Sequence, residues 1–188
     1  MNSINDAKQK IIELESKSNF EKMVQVAAIL TKVLEEKHIR PVIVGGLAVE
    51  IYTRSDYTTV DIDMIISDRE LAGEILVQLG FSVEGRHWYH DKLMVSIEIP
   101  NDILEDADDR KITKLRISEN YCVYVIGIED IILDRLRACI HWKSSSDCEW
   151  GKRMFLLHYD RIDIKYMKEV SEKDLTRKML DKWIEESK

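Results

Sequence analysis

Residues 41–64 constrain the chain more than any other segment. The apolar run Pro41-Val42-Ile43-Val44 ends in Gly45-Gly46 and leads directly into a helical stretch, Leu47 to Tyr52. Fourteen residues after Gly46 comes Val60-Asp61-Ile62-Asp63-Met64, inside a β-branched stretch from Thr58 to Ile66. The order predicts a strand, a tight turn, a helix and a second strand. On a strand, alternate residues share a face, so Asp61 and Asp63 project together while Val60, Ile62 and Met64 point into the core. Two carboxylates side by side repel, and a hard divalent cation with oxygen ligands, such as Mg²⁺, relieves that repulsion. Gly-Gly at a helix N-terminus offers backbone N–H groups and room for a phosphate to approach.

A third carboxylate follows in Val95-Ser96-Ile97-Glu98-Ile99, where the same alternation sends Val95, Ile97 and Ile99 inward and Glu98 to the face of Ser96. Three carboxylates on adjacent strands suit two Mg²⁺ ions bridging a nucleoside triphosphate, with a carboxylate to accept the nucleophile's proton. Against this, Glu98 also fits the solvated face of an edge strand, and an isolated Asp-x-Asp is common on exposed strands.

The remaining pattern is that of a sheet flanked by helices. Ser18-Asn19-Phe20-Glu21 is a capping box opening an apolar helical stripe through Leu34. An earlier helix, Asn5 to Ser16, has a weaker stripe and reads as peripheral or as an oligomer contact. Asp68 caps a helix ending at Gly80. Strands are expected at Phe81–Glu84, Leu93–Ile99, Lys111–Ile117 and Tyr121–Ile126, the last two joined by Ser118-Glu119-Asn120. His87, Trp88 and His90 fall in a hairpin, where a core tryptophan with surface histidines competes with an aromatic stacked on a base. From Ile128 the pattern is helical: one helix through Ile140, another capped by Asp147, and a last one from Leu175 to Ile184. Arg135 and Lys143, eight residues apart, are expected on one face of one helix, in reach of phosphates or an anionic acceptor, although Arg135 equally suits a structural pair with Asp134. Tryptophans such as Trp142 suggest helix-to-sheet packing. Residues 1–37 read as N-terminal helices on the core, 38–127 as the core and 128–188 as a helical part of the same domain. The class is α+β.

Composition narrows the partners. Among 188 residues, 45% are hydrophobic and 34% charged, which excludes disordered and low-complexity classes. A net charge of −7 disfavours a broad duplex nucleic-acid footprint. The charge is uneven: residues 1–134 carry 15 basic and 25 acidic side chains, residues 135–188 carry 13 and 10. The basic C-terminal third fits an anionic acceptor, an acidic partner or a solvated helix face. Cys122, Cys139 and Cys148 have no C-x-x-C spacing, which argues against a disulfide framework or zinc site. With no export signal or membrane span in the sequence, a cytoplasmic location is expected. The acidic run Asp102, Glu105, Asp106, Asp108 and Asp109 lacks calcium-loop spacing and reads as a solvated loop.

The apolar strand with Gly45-Gly46, then Asp61-Ile62-Asp63, then an acidic residue on a later strand resembles the signature of the DNA polymerase β superfamily of nucleotidyltransferases. The short chain is similar to the minimal members, some of them encoded in bacterial toxin–antitoxin or phage-defence pairs. Gly85-Arg86-His87-Trp88 and Ile128 to Leu136 also look like that group. Two departures stand out: the Gly46–Asp61 interval is longer than usual, and Gly-Gly replaces the commoner Gly-Ser, removing a hydroxyl often given to phosphates. The resemblance implies Mg²⁺-dependent transfer of a nucleoside monophosphate from an NTP such as ATP to a hydroxyl on a protein, a tRNA end or a small molecule such as an aminoglycoside. It assigns metal binding to Asp61, Asp63 and Glu98, with Glu98 alternatively activating the acceptor, and phosphate contacts to Gly45, Gly46, Arg54 and Thr59. Arg54 and Thr59 fit surface roles equally. The rival is a catalytically silent protein of this fold that neutralises a partner through its C-terminal helices. A phosphohydrolase would show histidines beside the Asp pair, and the chain has none there.

Overall fold

The computed structural model describes residues 2–187. It is an α+β fold built on one mixed seven-stranded sheet ordered β3-β4-β5-β2-β1-β7-β6. In chain order the elements are α1 (Asn2–Ile12), α2 (Asn19–Glu35), β1 (Val42–Val44), α3 (Gly45–Tyr52), β2 (Asp61–Ile65), α4 (Arg69–Leu79), β3 (Ser82–Glu84), β4 (His87–His90), β5 (Val95–Glu98), β6 (Thr113–Ser118), β7 (Tyr121–Val125), α5 (Ile128–His141), α6 (Ser145–Leu157), α7 (Ile164–Lys173) and α8 (Arg177–Glu186). The β1–β7 and β2–β5 pairs are parallel, and the others are antiparallel.

Local chemistry accounts for the boundaries. The expected capping box forms at Ser18, whose hydroxyl accepts from the Glu21 N–H while the Glu21 carboxylate accepts from the Ser18 N–H. Asp68 caps α4, which ends at Gly80 in the left-handed conformation, φ 104°. α2 packs across β7, β2 and β5, α4 against β3 and β4, and α1 between α2 and α4. Ile62, Met64, Val95 and Ile97 are fully buried, each worth about 1.5–3 kcal/mol of apolar burial.

Several expectations change. α1 is not peripheral: Ala7, Ile11 and Leu14 are buried beside α2. β2 starts at Asp61 rather than Thr58, and Val60 is 64% exposed instead of pointing inward. Residues before Asp61 belong to a loop tied back to α3, which breaks the alternation there. β5 lies between β4 and β2 and is no edge strand. α7 has no counterpart in the sequence reading, and α8 begins at Arg177. α6 is capped by Ser144, which accepts from the Asp147 N–H; Asp147 sits in the first turn and pairs with Arg135. Trp142 is 82% exposed at the end of α5 and packs on no sheet.

Cys139 on α5 and Cys148 on α6 form a disulfide, with Cα atoms 4.6 Å apart. This corrects the reading of the cysteines as unpaired: helices folded back through a three-residue turn bring positions nine apart face to face. Cys122 is free. Close packing reinforces the bond, since a Cβ on Gly151 of α6 would lie 3.0 Å from both the Arg135 Cβ and Trp183. At the start of α5 a polar network ties three segments. Asp130 accepts from the Tyr166 hydroxyl and the Asp108 N–H, while Glu129 accepts from Lys111 and from the Asp163 N–H. The acidic loop is therefore anchored: Asp108 pairs with Arg110 and Asp109 with Arg40. No described helix is long and apolar enough to cross a membrane.

Candidate active site

The site is assembled by strand register. β1 places Val44 opposite Asp63, and β5 places Glu98 opposite Asp63 and Ser96 opposite Asp61. Side chains paired across adjacent strands share a face, so Asp61, Asp63 and Glu98 share the polar face while Ile62 and Ile97 go into the core. α3 then begins at Gly45 with no intervening loop. Gly45 has φ 58°, and a Cβ there would collide with the Asp63 carboxylate, coming within 2.8 Å of its Cγ. Gly46 donates its N–H to Asp63 Oδ2 at 3.4 Å. A Cβ on Gly46 would lie 2.8 Å from the Thr59 hydroxyl. Both glycines are therefore required sterically, the first for conformation as well.

Thr59 secures the return loop. Its hydroxyl accepts from the Asp61 N–H at 3.4 Å, and its own N–H donates to the buried Glu50 carboxylate at 3.2 Å. It acts as a support for Asp61 and Gly46 in this geometry. Arg54 is not brought to the glycines: it is an exposed residue with φ 55° just past the C-terminal end of α3, about 13 Å along the helix axis from Gly45.

Asp63 carries the electrostatic signature. Burial pushes its carboxyl pKa up, the Gly46 N–H opposes this, the Glu98 and Asp61 charges raise it further, and Arg135 lowers it. Arg135 thus reaches the field of the site from α5, held by Asp147 at 2.8 Å and Asp134 at 3.5 Å. Its Nε is buried without a hydrogen-bond partner among the described residues. Lys143 does not share its helix face, because α5 ends at His141 and Lys143 is an exposed turn residue with φ 54°.

Glu98 is only 15% exposed in its side chain and is already engaged. Arg86, on the β3–β4 turn, places Nη2 2.7 Å from Glu98 Oε1, and His87 Nδ1 lies 3.7 Å from Glu98 Oε2. β4 sets His87 opposite Glu98, so Glu84, His87, Glu98 and Asp63 form one row across four strands. Sequence reading singled out neither Arg86 nor His87 as a partner of Glu98. The available signal was the alternation in β4, where buried Trp88 and His90 flank Tyr89 and leave His87 on the polar face.

The donor set, carboxylate oxygens on one face with Asp63 destabilised by its like-charged neighbours, fits a hard divalent ion. Among the described residues no three such side chains are gathered closely enough to enclose one, in keeping with Glu98 turned toward Arg86.

A family model described as a nucleotidyltransferase of unknown function (DUF6036) matches residues 18–187. No curated protein matches the sequence. Among solved structures, the solution structure of the antibiotic-resistance factor ANT(2'')-Ia is similar, with TM-score 0.51 and 14% identity over 87% of this chain and 98% of that one. At that identity the likeness is one of fold.

Proposed function

The chain belongs to the DUF6036 family of nucleotidyltransferases, and on that premise we propose that it moves a nucleoside monophosphate from an NTP to a hydroxyl acceptor with Mg²⁺. The observation that carries this reading is the in-register pair Asp63 and Glu98 beside a helix that opens on Gly45-Gly46. The N–H groups at the start of α3 hold the triphosphate, with the helix dipole aligned in favour of its charge. Asp61, Asp63 and, once released from Arg86, Glu98 would hold the ion. The ion supplies charge neutralisation at the phosphates. The acceptor oxygen attacks the α-phosphorus, the bond to the bridging oxygen of the β-phosphate breaks, pyrophosphate leaves, and the hydroxyl proton passes to Glu98. Arg135, held by Asp147 and Asp134, makes a smaller favourable contribution to the charge at Asp63.

The acceptor is the open variable. The net charge of −7 favours a locally held group over a long nucleic acid. The fold shared with an antibiotic-resistance factor brings small hydroxylated molecules such as aminoglycosides into consideration alongside protein side chains and tRNA ends. A genomic pairing of the toxin–antitoxin kind fits a protein or tRNA acceptor. The test is label transfer from each of the four NTPs, radiolabelled at the α-phosphate, to three acceptor arms: tRNA, whole-cell protein and an aminoglycoside panel. Mg²⁺-dependent label in one arm identifies nucleotide and acceptor together. No label in any arm, with no pyrophosphate formed, overturns the proposal.

A further inference from the structure

Arg86 places its guanidinium directly on a site carboxylate, 2.7 Å from Glu98 Oε1. Its partner and its own setting differ sharply. Glu98 is 15% exposed and lies opposite Asp63 with Asp61 on the same face, so its charge sits among like charges with restricted access to water. Such a carboxylate is unfavourable without a counter-charge. Arg86 sits on the β3–β4 turn, beside Gly85 with φ 63°, and is 73% exposed. The turn is held by Arg69, which donates to the Arg86 carbonyl at 3.3 Å, so the backbone is anchored while the guanidinium is free to swing into solvent. His87 Nδ1 is buried, lies 3.7 Å from Glu98 Oε2 and has no hydrogen-bond partner among the described residues. The arrangement supplies a monovalent charge that neutralises Glu98 and can leave it at small cost, because pairs with one exposed member contribute little.

We propose that Arg86 is a positioning residue that acts as a stand-in cation: it holds the Glu98 carboxylate in the row with Asp63 while no ion is bound, and its pairing with Glu98 excludes a divalent ion's use of that carboxylate. The inference rests on the carboxylate site of the proposed nucleotidyltransferase. It explains why Asp61, Asp63 and Glu98 share a face yet do not close into a three-donor cage. A bound divalent ion would replace Arg86 as the partner of Glu98 and leave the guanidinium, already 73% exposed, in solvent.

The experiment is Mn²⁺ binding to the full-length protein, measured by calorimetry and by the fraction of free ion in electron paramagnetic resonance. Arg86→Ala removes the competitor and tightens Mn²⁺ binding by about three- to fivefold, the range of a partly exposed ion pair. Arg86→Lys keeps a cation at the turn and stays near the wild-type affinity. Without added ion Arg86→Lys melts near the wild type and Arg86→Ala melts lower, because Glu98 then lacks its counter-charge. Unchanged or weaker binding by Arg86→Ala overturns the proposal, as does equal tightening by Ala and Lys, which would show that charge is not the cause. Loss of Mn²⁺ binding in Asp61→Asn, Asp63→Asn with no effect of Arg86→Ala removes this inference alone. Absence of Mn²⁺ binding in the wild type, or binding indifferent to the two aspartates, removes the underlying reading with it.

Discussion

Gly45 bears two constraints at once, a left-handed backbone and a carboxylate where a side chain would be. Gly45→Ala is therefore expected to lose stability by about 1 kcal/mol or more from backbone conformation alone and to push Asp63 off its register. Urea melts read the first effect and Mn²⁺ affinity the second; an alanine variant with wild-type values of both would contradict the geometry. Tyr52 offers an independent residue-scale test. Its hydroxyl donates to the Ile126 carbonyl at 2.7 Å, and burial pushes its pKa up from 10.0 to about 12, with Thr113 opposing and the Glu129 and Asp130 charges adding. A phenol whose pKa is raised by folding contributes its full stability below about pH 10 and loses it as pH rises toward 12, at about 1.4 kcal/mol per pH unit. Tyr52→Phe is expected to be less stable at pH 7 by about 1 kcal/mol, yet to decline less steeply between pH 10 and 12. Parallel stability profiles for the two proteins would refute this.

Elements whose signals are local were legible in the sequence. The Ser18 capping box, the Asp68 cap with its Gly80 stop, and the Ile62/Met64 alternation each lie within a few residues of chain, and each appears in the structure. What escaped depends on partners distant in sequence. Arg86 meets Glu98 only after the β4–β5 return, Asp147 is drawn from capping to Arg135, and Lys143 leaves its expected face because α5 stops two residues earlier. The α5–α6 pair is the clearest case, because Cys139 and Cys148 meet only once the turn between the helices is known. That bond is expected to stabilise the protein by about 2–3 kcal/mol, the chain-entropy value for so short a loop. Thermal unfolding of the wild type should therefore shift downward on reduction, while Cys139→Ser should show no response to reductant. Equal melting temperatures with and without reductant would exclude a bond of that strength.

Across the whole molecule, the proposed site lies on the polar face of the central strands. β2 contributes the aspartates, β5 the glutamate, α3 the glycines and α5 the arginine. These elements are separated by up to ninety residues and meet only because the order β5-β2-β1 places them together. The resemblance of Gly45-Gly46 and Asp61-Ile62-Asp63 to polymerase β-like enzymes anticipated a nucleotidyltransferase, and the family match agrees with that assignment. Of the basic C-terminal third, Arg135 is paired with Asp134 and Asp147, while Lys143 and the exposed Trp142 lie on the surface of the α5–α6 turn. The central claim is that Asp61 and Asp63 make this fold a transferase. Its most direct test is pyrophosphate release and label transfer by the wild type beside the folded Asp61→Asn, Asp63→Asn variant, with and without Mg²⁺. The account predicts transfer only in the wild type with Mg²⁺; equal transfer by the variant would contradict it.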